Sequence, residues 1–222
     1  IVRELEKIRH EMRVNDGDMS FIASDDTDYE WIKKYVTGQI ELGLGTDNEK
    51  FDEYFRFKRE FLMINGHSNV GKTTFTLWLM VAASMLHGWK WLVYSAENPT
   101  WANKMKVMQF CMDMPIKRMN HKELTTAHDW VNKHFTFIDN HKNYSYSDIL
   151  VFAEKVLKYE GLDGVLIDPY NALRIDMSAH RGISTHEYHY EAASEFLTFS
   201  VKNQVAMWVN AHAFTEAQRR KG

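Results

Sequence analysis

From residue 61 onward the apolar positions fall into short continuous runs: "FLMIN" (61–65), "WLVYSA" (91–96), "FTFID" (135–139), "GVLID" (164–168) and "VAMWVNA" (205–211). Such runs predict strands buried on both faces, and the longer stretches between them predict helices over 72–87, 99–111, 121–133, 147–160 and 187–203. Buried strands alternating with helices call for a parallel sheet covered on both sides, an α/β architecture. The first 60 residues follow a different pattern. Val2, Leu5, Ile8 and Met12 recur at helical spacing, which predicts a short amphipathic helix over 1–13 whose apolar stripe needs a partner surface. The acidic, turn-rich "NDGDMSFIASDDTD" (15–28) then reads as a linker, and the region through "GLGTDNEKFDEYFRFKRE" (43–60) as a lead-in to the core.

Composition narrows the picture. With 222 residues, 45% of them hydrophobic, the chain can bury one substantial α/β domain. The formal charge of −3 comes from interspersed acids and bases, so any polyanion site must be local. No apolar run approaches the roughly 20 residues of a membrane helix, and the N-terminus does not resemble a signal peptide, so a soluble protein with no membrane partner is expected. A single cysteine, Cys111, excludes an intrachain disulfide and a cysteine zinc cluster. Of eleven histidines, His186 and His189 lie close together but lack further ligands nearby, and no metal is assigned to them. The start without methionine and the charged ending "EAQRRKG" lead us to expect a piece of a longer chain.

One segment carries the chemistry. Gly66, His67, Ser68, Asn69, Val70, Gly71, Lys72 and Thr73, followed by Thr74, fit the G-x-x-x-x-G-K-[ST] phosphate loop, between a predicted strand and a predicted helix as that motif requires. The glycines let the backbone curl so that N–H groups point at phosphate oxygens, and the helix beginning near Lys72 adds its positive dipole end. Lys72 would reach the β- and γ-phosphates and the Thr73 hydroxyl would bind Mg²⁺. A plain glycine-containing turn is the bland alternative, and the strand–loop–helix context weighs against it.

Three further strand ends carry polar groups. Asp168 closes "GVLID" at the edge where open parallel sheets bind ligands, and Pro169 discourages continuation. Alone it would read as a turn-opening aspartate; with a phosphate loop upstream it reads as the Walker-B carboxylate that orders Mg²⁺. Glu97, in "WLVYSAENP", follows another strand, where it could polarise the attacking water or merely favour the next helix's N-terminus, near Pro99. Asn210 and His212 end the last strand, where polar groups could sense a γ-phosphate; a lone histidine there is otherwise an ordinary loop residue.

Together these elements resemble the RecA-like ATPase core of DnaB-type hexameric replicative helicases, especially the phage and mitochondrial helicase-primase relatives. The resemblance covers about residues 36 to 222 and rests on "YVTGQIELGLGTDNEKFDEYFRFKREFLMINGHSNVGKTTF", "YSAENPTWANKM", "VLIDPYNAL" and "EYHYEAASEFLTFSVKNQVAMWVNAHAFTEAQR". It implies a three-layer P-loop NTPase with a mainly parallel sheet over 36–222, truncated on its C-terminal side, and a linker helix with connecting segment over 1–35 that docks on a neighbouring subunit. It implies catalytic roles for Glu97, Lys72, Asp168 and His212, with ATP and Mg²⁺ as cofactors. Arg174, Arg181, Arg219, Arg220 and Lys221 become candidate contacts to single-stranded DNA, although each taken singly is an ordinary solvated charge. A homo-hexamer, a primase as partner or fused domain, and the cytoplasm of a bacterial or phage-infected cell, in preference to a mitochondrial matrix, are implied as well. Phe51–Asp52 departs from the family's leucine before the aspartate, and the strands expected to carry an arginine finger do not follow.

The function expected is an ATP-dependent helicase motor that translocates on single-stranded DNA. The alternatives are a RecA- or KaiC-like ATPase without unwinding, and a P-loop small-molecule kinase, for which no arginine-rich lid segment is present. Trp78, Trp89, Trp91 and Trp208 fall on strands or apolar helix faces, which favours core packing over base stacking. Tyr170 could contact the nucleotide or a channel loop.

Overall fold

The computed structural model of the chain describes residues 26–39, 43–176 and 184–213. The chain divides into two compact units, Ile1–Leu42 and Gly43–Gly222. In the first unit the described part is a helix, α1 (Asp26–Val36), where the sequence pattern suggested linker and lead-in. Lys33 and Lys34 sit in its last turn, at the negative end of the helix dipole, and Lys33 bonds Glu30 one turn back at 2.6 Å. The acidic, turn-forming residues at its start hide this helix in the sequence, and Trp31, Ile32 and Tyr35 are all more than half exposed, so no buried stripe marks it. The expected helix over 1–13 and the linker residues up to 25 lie outside the described residues.

The second unit opens with a loop closed by an antiparallel bridge between Leu44 and Phe57 around a short helix, α2 (Glu49–Asp52). Asp52 accepts from the Thr46 hydroxyl at 2.6 Å and from its N–H at 2.7 Å. Those two bonds, the hydroxyl's first, hold the Asp52 carboxyl below its usual range. The elements that follow are β1 (Phe61–Gly66), α3 (Lys72–His87), β2 (Trp91–Ser95), α4 (Thr100–Cys111), α5 (His121–His134), β3 (Phe135–Phe137), α6 (Tyr146–Glu160), β4 (Gly164–Asp168), α7 (Thr185–Asn203) and β5 (Ala206–His212). Their bounds match the apolar runs to within two residues, the scatter normal at element ends. Pro99 proves to be the N-cap of α4 in an extended conformation rather than its first helical residue.

Among the described residues, all four strand pairings are parallel, in the order β1-β5-β4-β2-β3. The C-terminal ends of the strands therefore share one edge, and β5 and β4 lie between β1 and β2, so the loops after four strands converge there. Side chains alternate along each strand. Leu92, Tyr94, Val165, Ile167, Met207 and Val209 pack with Ile149 and Ala153 of α6 and Ala192 and Phe196 of α7. Trp91, Val93, Leu166 and Trp208 pack on the opposite face with Leu77 and Met80 of α3, Val107 of α4 and Val131 of α5. The result is three layers, each fully buried Leu, Ile, Val or Phe contributing about 1.5–3 kcal/mol relative to exposure.

Trp89, Trp91 and Trp208 belong to this core, with the rings of Trp91 and Trp208 4.8 Å apart. The indole of Trp91 also covers Gly164, where an added Cβ would run into the ring. Trp78 departs from the core reading: it is 43% exposed and lies beside Phe75 and Phe51 on the outer side of α3. Its position three residues after Phe75 puts both on the same helix face.

Candidate active site

The phosphate loop links β1 to α3. Gly71, the N-cap of α3, has φ 93°, a left-handed conformation that glycine adopts without steric cost, and Asn69 has φ 62°. Helices α5, α6 and α7 each begin with a side-chain capping box, on Asn120, Ser145 and Ser184. Helix α3 has no side-chain cap and no acid in its first turn, which leaves its leading N–H groups for an anion. His67, Ser68, Asn69, Val70 and Thr74 are exposed around this turn.

Lys72 folds back over the loop. Its ammonium donates to the carbonyls of Gly66 at 2.8 Å and His67 at 2.7 Å, and lies 3.2 Å from Nδ1 of His212. An ammonium can only donate, so His212 accepts at Nδ1; the Ser68 hydroxyl lies 3.4 Å from the same nitrogen. The tautomer that satisfies these contacts carries its hydrogen on Nε2, and Nε2 stands 3.0 Å from Oε1 of Glu97. Lysine, histidine and glutamate thus form one hydrogen-bonded chain from the phosphate loop after β1, through the end of β5, to the loop after β2.

A second chain lies beneath it. The Thr73 hydroxyl donates to Oδ2 of Asp168 at 2.7 Å, and the amide of Asn210 donates to Oδ1 at 2.8 Å. Asp168 is 3% exposed and Asn210 fully buried. Ser95 is the register partner of Asp168 on β2, and its hydroxyl is buried without a hydrogen-bond partner in the protein. A threonine hydroxyl, a carboxylate and a spare serine hydroxyl form an all-oxygen set, the hard donors that Mg²⁺ prefers.

The structure therefore brings Lys72, Thr73, Glu97, Asp168 and His212 to one edge of the sheet. It also places residues there that the sequence pattern did not single out. Asn140 donates from Nδ2 to the carbonyls of Ser95 at 3.0 Å and Asn98 at 2.9 Å, which clamps the turn carrying Glu97. Asn171 accepts the His212 N–H at 2.6 Å, tying the turn after Asp168 to the end of β5. Tyr170 faces neither of these chains: its hydroxyl lies 2.7 Å from Nδ1 of His189 and its ring lies edge-on to Phe196, while burial pushes its phenol above the ordinary range.

The cationic candidates are placed less completely. Arg174 is half exposed and pairs with Asp148 at 3.1 Å and Asp176 at 3.9 Å, so acids already offset its charge. Arg181, Arg219, Arg220 and Lys221 lie outside the described residues.

Neither a protein-family model nor a curated sequence matches the chain. Its shape does match solved structures. One, the ATPase domain of a DnaB-like helicase, superposes with a TM-score of 0.64 at 12% identity, over 90% of this chain and 75% of that one. A second, a DnaB-like replicative helicase solved in a study of its interactions with primase, gives a TM-score of 0.71 at 14% identity over 100% of this chain. The chain spans 55% of that helicase's length. At these identities the likeness establishes the fold: this is the RecA-like α/β fold of DnaB-type ATPase domains.

Proposed function

We propose that the chain is the ATP-hydrolysing motor domain of a DNA helicase, acting at subunit interfaces of a homo-hexamer to move along single-stranded DNA. The observation that supports it best is the Lys72–His212–Glu97 chain lying directly above the Thr73–Asp168 pair. A phosphate binder, a metal-binding pair and a proton acceptor side by side are what hydrolysis of a triphosphate requires.

In this reading the bared N–H groups of α3 and the Lys72 ammonium bind the β- and γ-phosphates, exchanging the lysine's bonds to Gly66 and His67 for phosphate oxygens. Thr73 and Asp168 hold Mg²⁺, which neutralises developing charge on the phosphate oxygens when bound. Glu97 accepts a proton from the attacking water as the new P–O bond forms and the bond to the leaving ADP oxygen breaks. His212, hydrogen-bonded to both Lys72 and Glu97, senses the γ-phosphate, and Asn171 carries its position to the turn after β4. The segment beyond that turn, from Arg174 through Arg181, and Arg219, Arg220 and Lys221 are proposed DNA contacts. A primase is the proposed partner of the assembled protein. Among the described residues no helix is long and apolar enough to cross a membrane.

The test is ATP turnover with and without single-stranded DNA, followed by displacement of a labelled strand by the full-length protein. DNA-stimulated turnover with strand displacement is expected. DNA-stimulated turnover without displacement would favour a RecA-like ATPase, and phosphorylation of an added nucleoside without DNA stimulation would favour a kinase.

A further inference from the structure

We infer that Asn210 is a positioning residue for Asp168: by holding one carboxylate oxygen it aims the other at the Thr73 hydroxyl, and so sets how readily the site takes Mg²⁺ together with a nucleotide. This deepens the nucleotide-site reading and rests on it. Asn210 lies in a strand whose other buried residues are Ala206, Met207, Trp208, Val209 and Ala211. An amide in such surroundings costs free energy unless its polar atoms are matched, and here both kinds are matched to the site. Its nitrogen donates to Oδ1 of Asp168 at 2.8 Å, and its oxygen accepts from the Thr76 hydroxyl at 3.1 Å.

The second contact fixes the first. Thr76 is fully buried on α3, one turn after Thr73, and its hydroxyl also reaches the Lys72 carbonyl at 2.9 Å. A hydroxyl donor on the oxygen side of the amide turns the NH₂ group toward Asp168, so the orientation follows from the phosphate-loop helix itself. Without Asn210, a carboxylate buried beside apolar strands would be free to rotate about its Cβ–Cγ bond and to turn Oδ2 away from Thr73. Asn210 is too deeply buried to reach a phosphate, which separates its role from that of His212 two residues on.

The experiment measures binding of a fluorescent ADP analogue to the purified protein while Mg²⁺ is varied. Wild-type protein should bind more tightly as Mg²⁺ rises, with a defined half-maximal Mg²⁺ concentration. Asn210→Asp, of equal size but lacking the donor, and Asn210→Leu should raise that concentration by about tenfold, the scale of a hydrogen bond to a charged group, with Mg²⁺-free affinity unchanged. Thr76→Val, which removes only the orienting hydroxyl, should give a smaller shift in the same direction and keeps the test open if Asn210→Leu fails to fold. An unchanged Mg²⁺ midpoint in Asn210→Asp and Thr76→Val, or an equal loss of affinity with and without Mg²⁺, would overturn the assignment. A wild-type protein that binds no nucleotide under either condition would instead overturn the site reading beneath it.

Discussion

His212 donates from Nε2 to Oε1 of Glu97 across 3.0 Å, and this bond joins the ends of two strands, β5 and β2, that are not neighbours in the sheet. Strand β4 lies between them and ends in Asp168. The glutamate is more than half exposed on its side chain, so the histidine, held in turn by Lys72 and by the Asn171 side chain, is what restrains it.

Removing that restraint should slow turnover more than binding. His212→Ala is expected to reduce ATP hydrolysis about 10- to 100-fold, the range for losing hydrogen bonds to charged groups, while nucleotide affinity changes far less. Steady-state turnover beside a nucleotide-binding titration separates the two effects, and the coupling role fails if affinity falls as far as turnover.

Packing at the far side of the sheet predicts a purely structural lesion. Gly164→Ala places a methyl group against the Trp91 ring, which is buried against Trp208 and Trp89 and has little room to yield. A loss of about 1–3 kcal/mol is expected by denaturant unfolding, with nucleotide affinity of the folded fraction unchanged. An unaltered unfolding midpoint would show that the indole can move aside.

Cys111 yields a pH prediction. Burial pushes its thiol up to about 11 from an ordinary value of 9.0, against a smaller opposing effect of a backbone hydrogen bond. The folded state thus holds the proton over a range where the unfolded chain releases it, so the contribution to stability is complete below pH 9, declines above it and is exhausted once the folded thiol ionises. The same shift makes Cys111 slow toward thiol reagents near pH 8, with a rate that climbs until about 11. Disulfide-exchange kinetics against pH, with an unfolded control reacting at lower pH, check this; identical profiles would contradict it.

Much of this arrangement was legible in the sequence because parallel strands put their ends at one edge. Once "GVLID", "WLVYSAE" and "VAMWVNAH" read as buried strands, Asp168, Glu97 and His212 had to emerge on the same side as the phosphate loop, whatever the strand order. The roles of Asn210 and Asn140 were less legible, since each depends on a partner far along the chain: Asp168 is 42 residues from Asn210, and Ser95 is 45 from Asn140. Helix α1 was hidden for a different reason, its apolar residues being exposed, so that no burial pattern reached the sequence. Trp78 shows the converse: its helix is apolar on nearly every face, and periodicity alone could not say which face turned outward.

The central claim, that Glu97 is the proton acceptor in a site built on Lys72, Thr73 and Asp168, meets its most direct test in single-turnover ATP hydrolysis by Glu97→Gln. Glutamine keeps the size of the side chain and an oxygen that can accept from His212, but it is too weak a base to take a proton from water. Nucleotide should bind as tightly as in wild type while the hydrolysis step slows by about 10²- to 10⁴-fold. Hydrolysis at the wild-type rate would contradict the account.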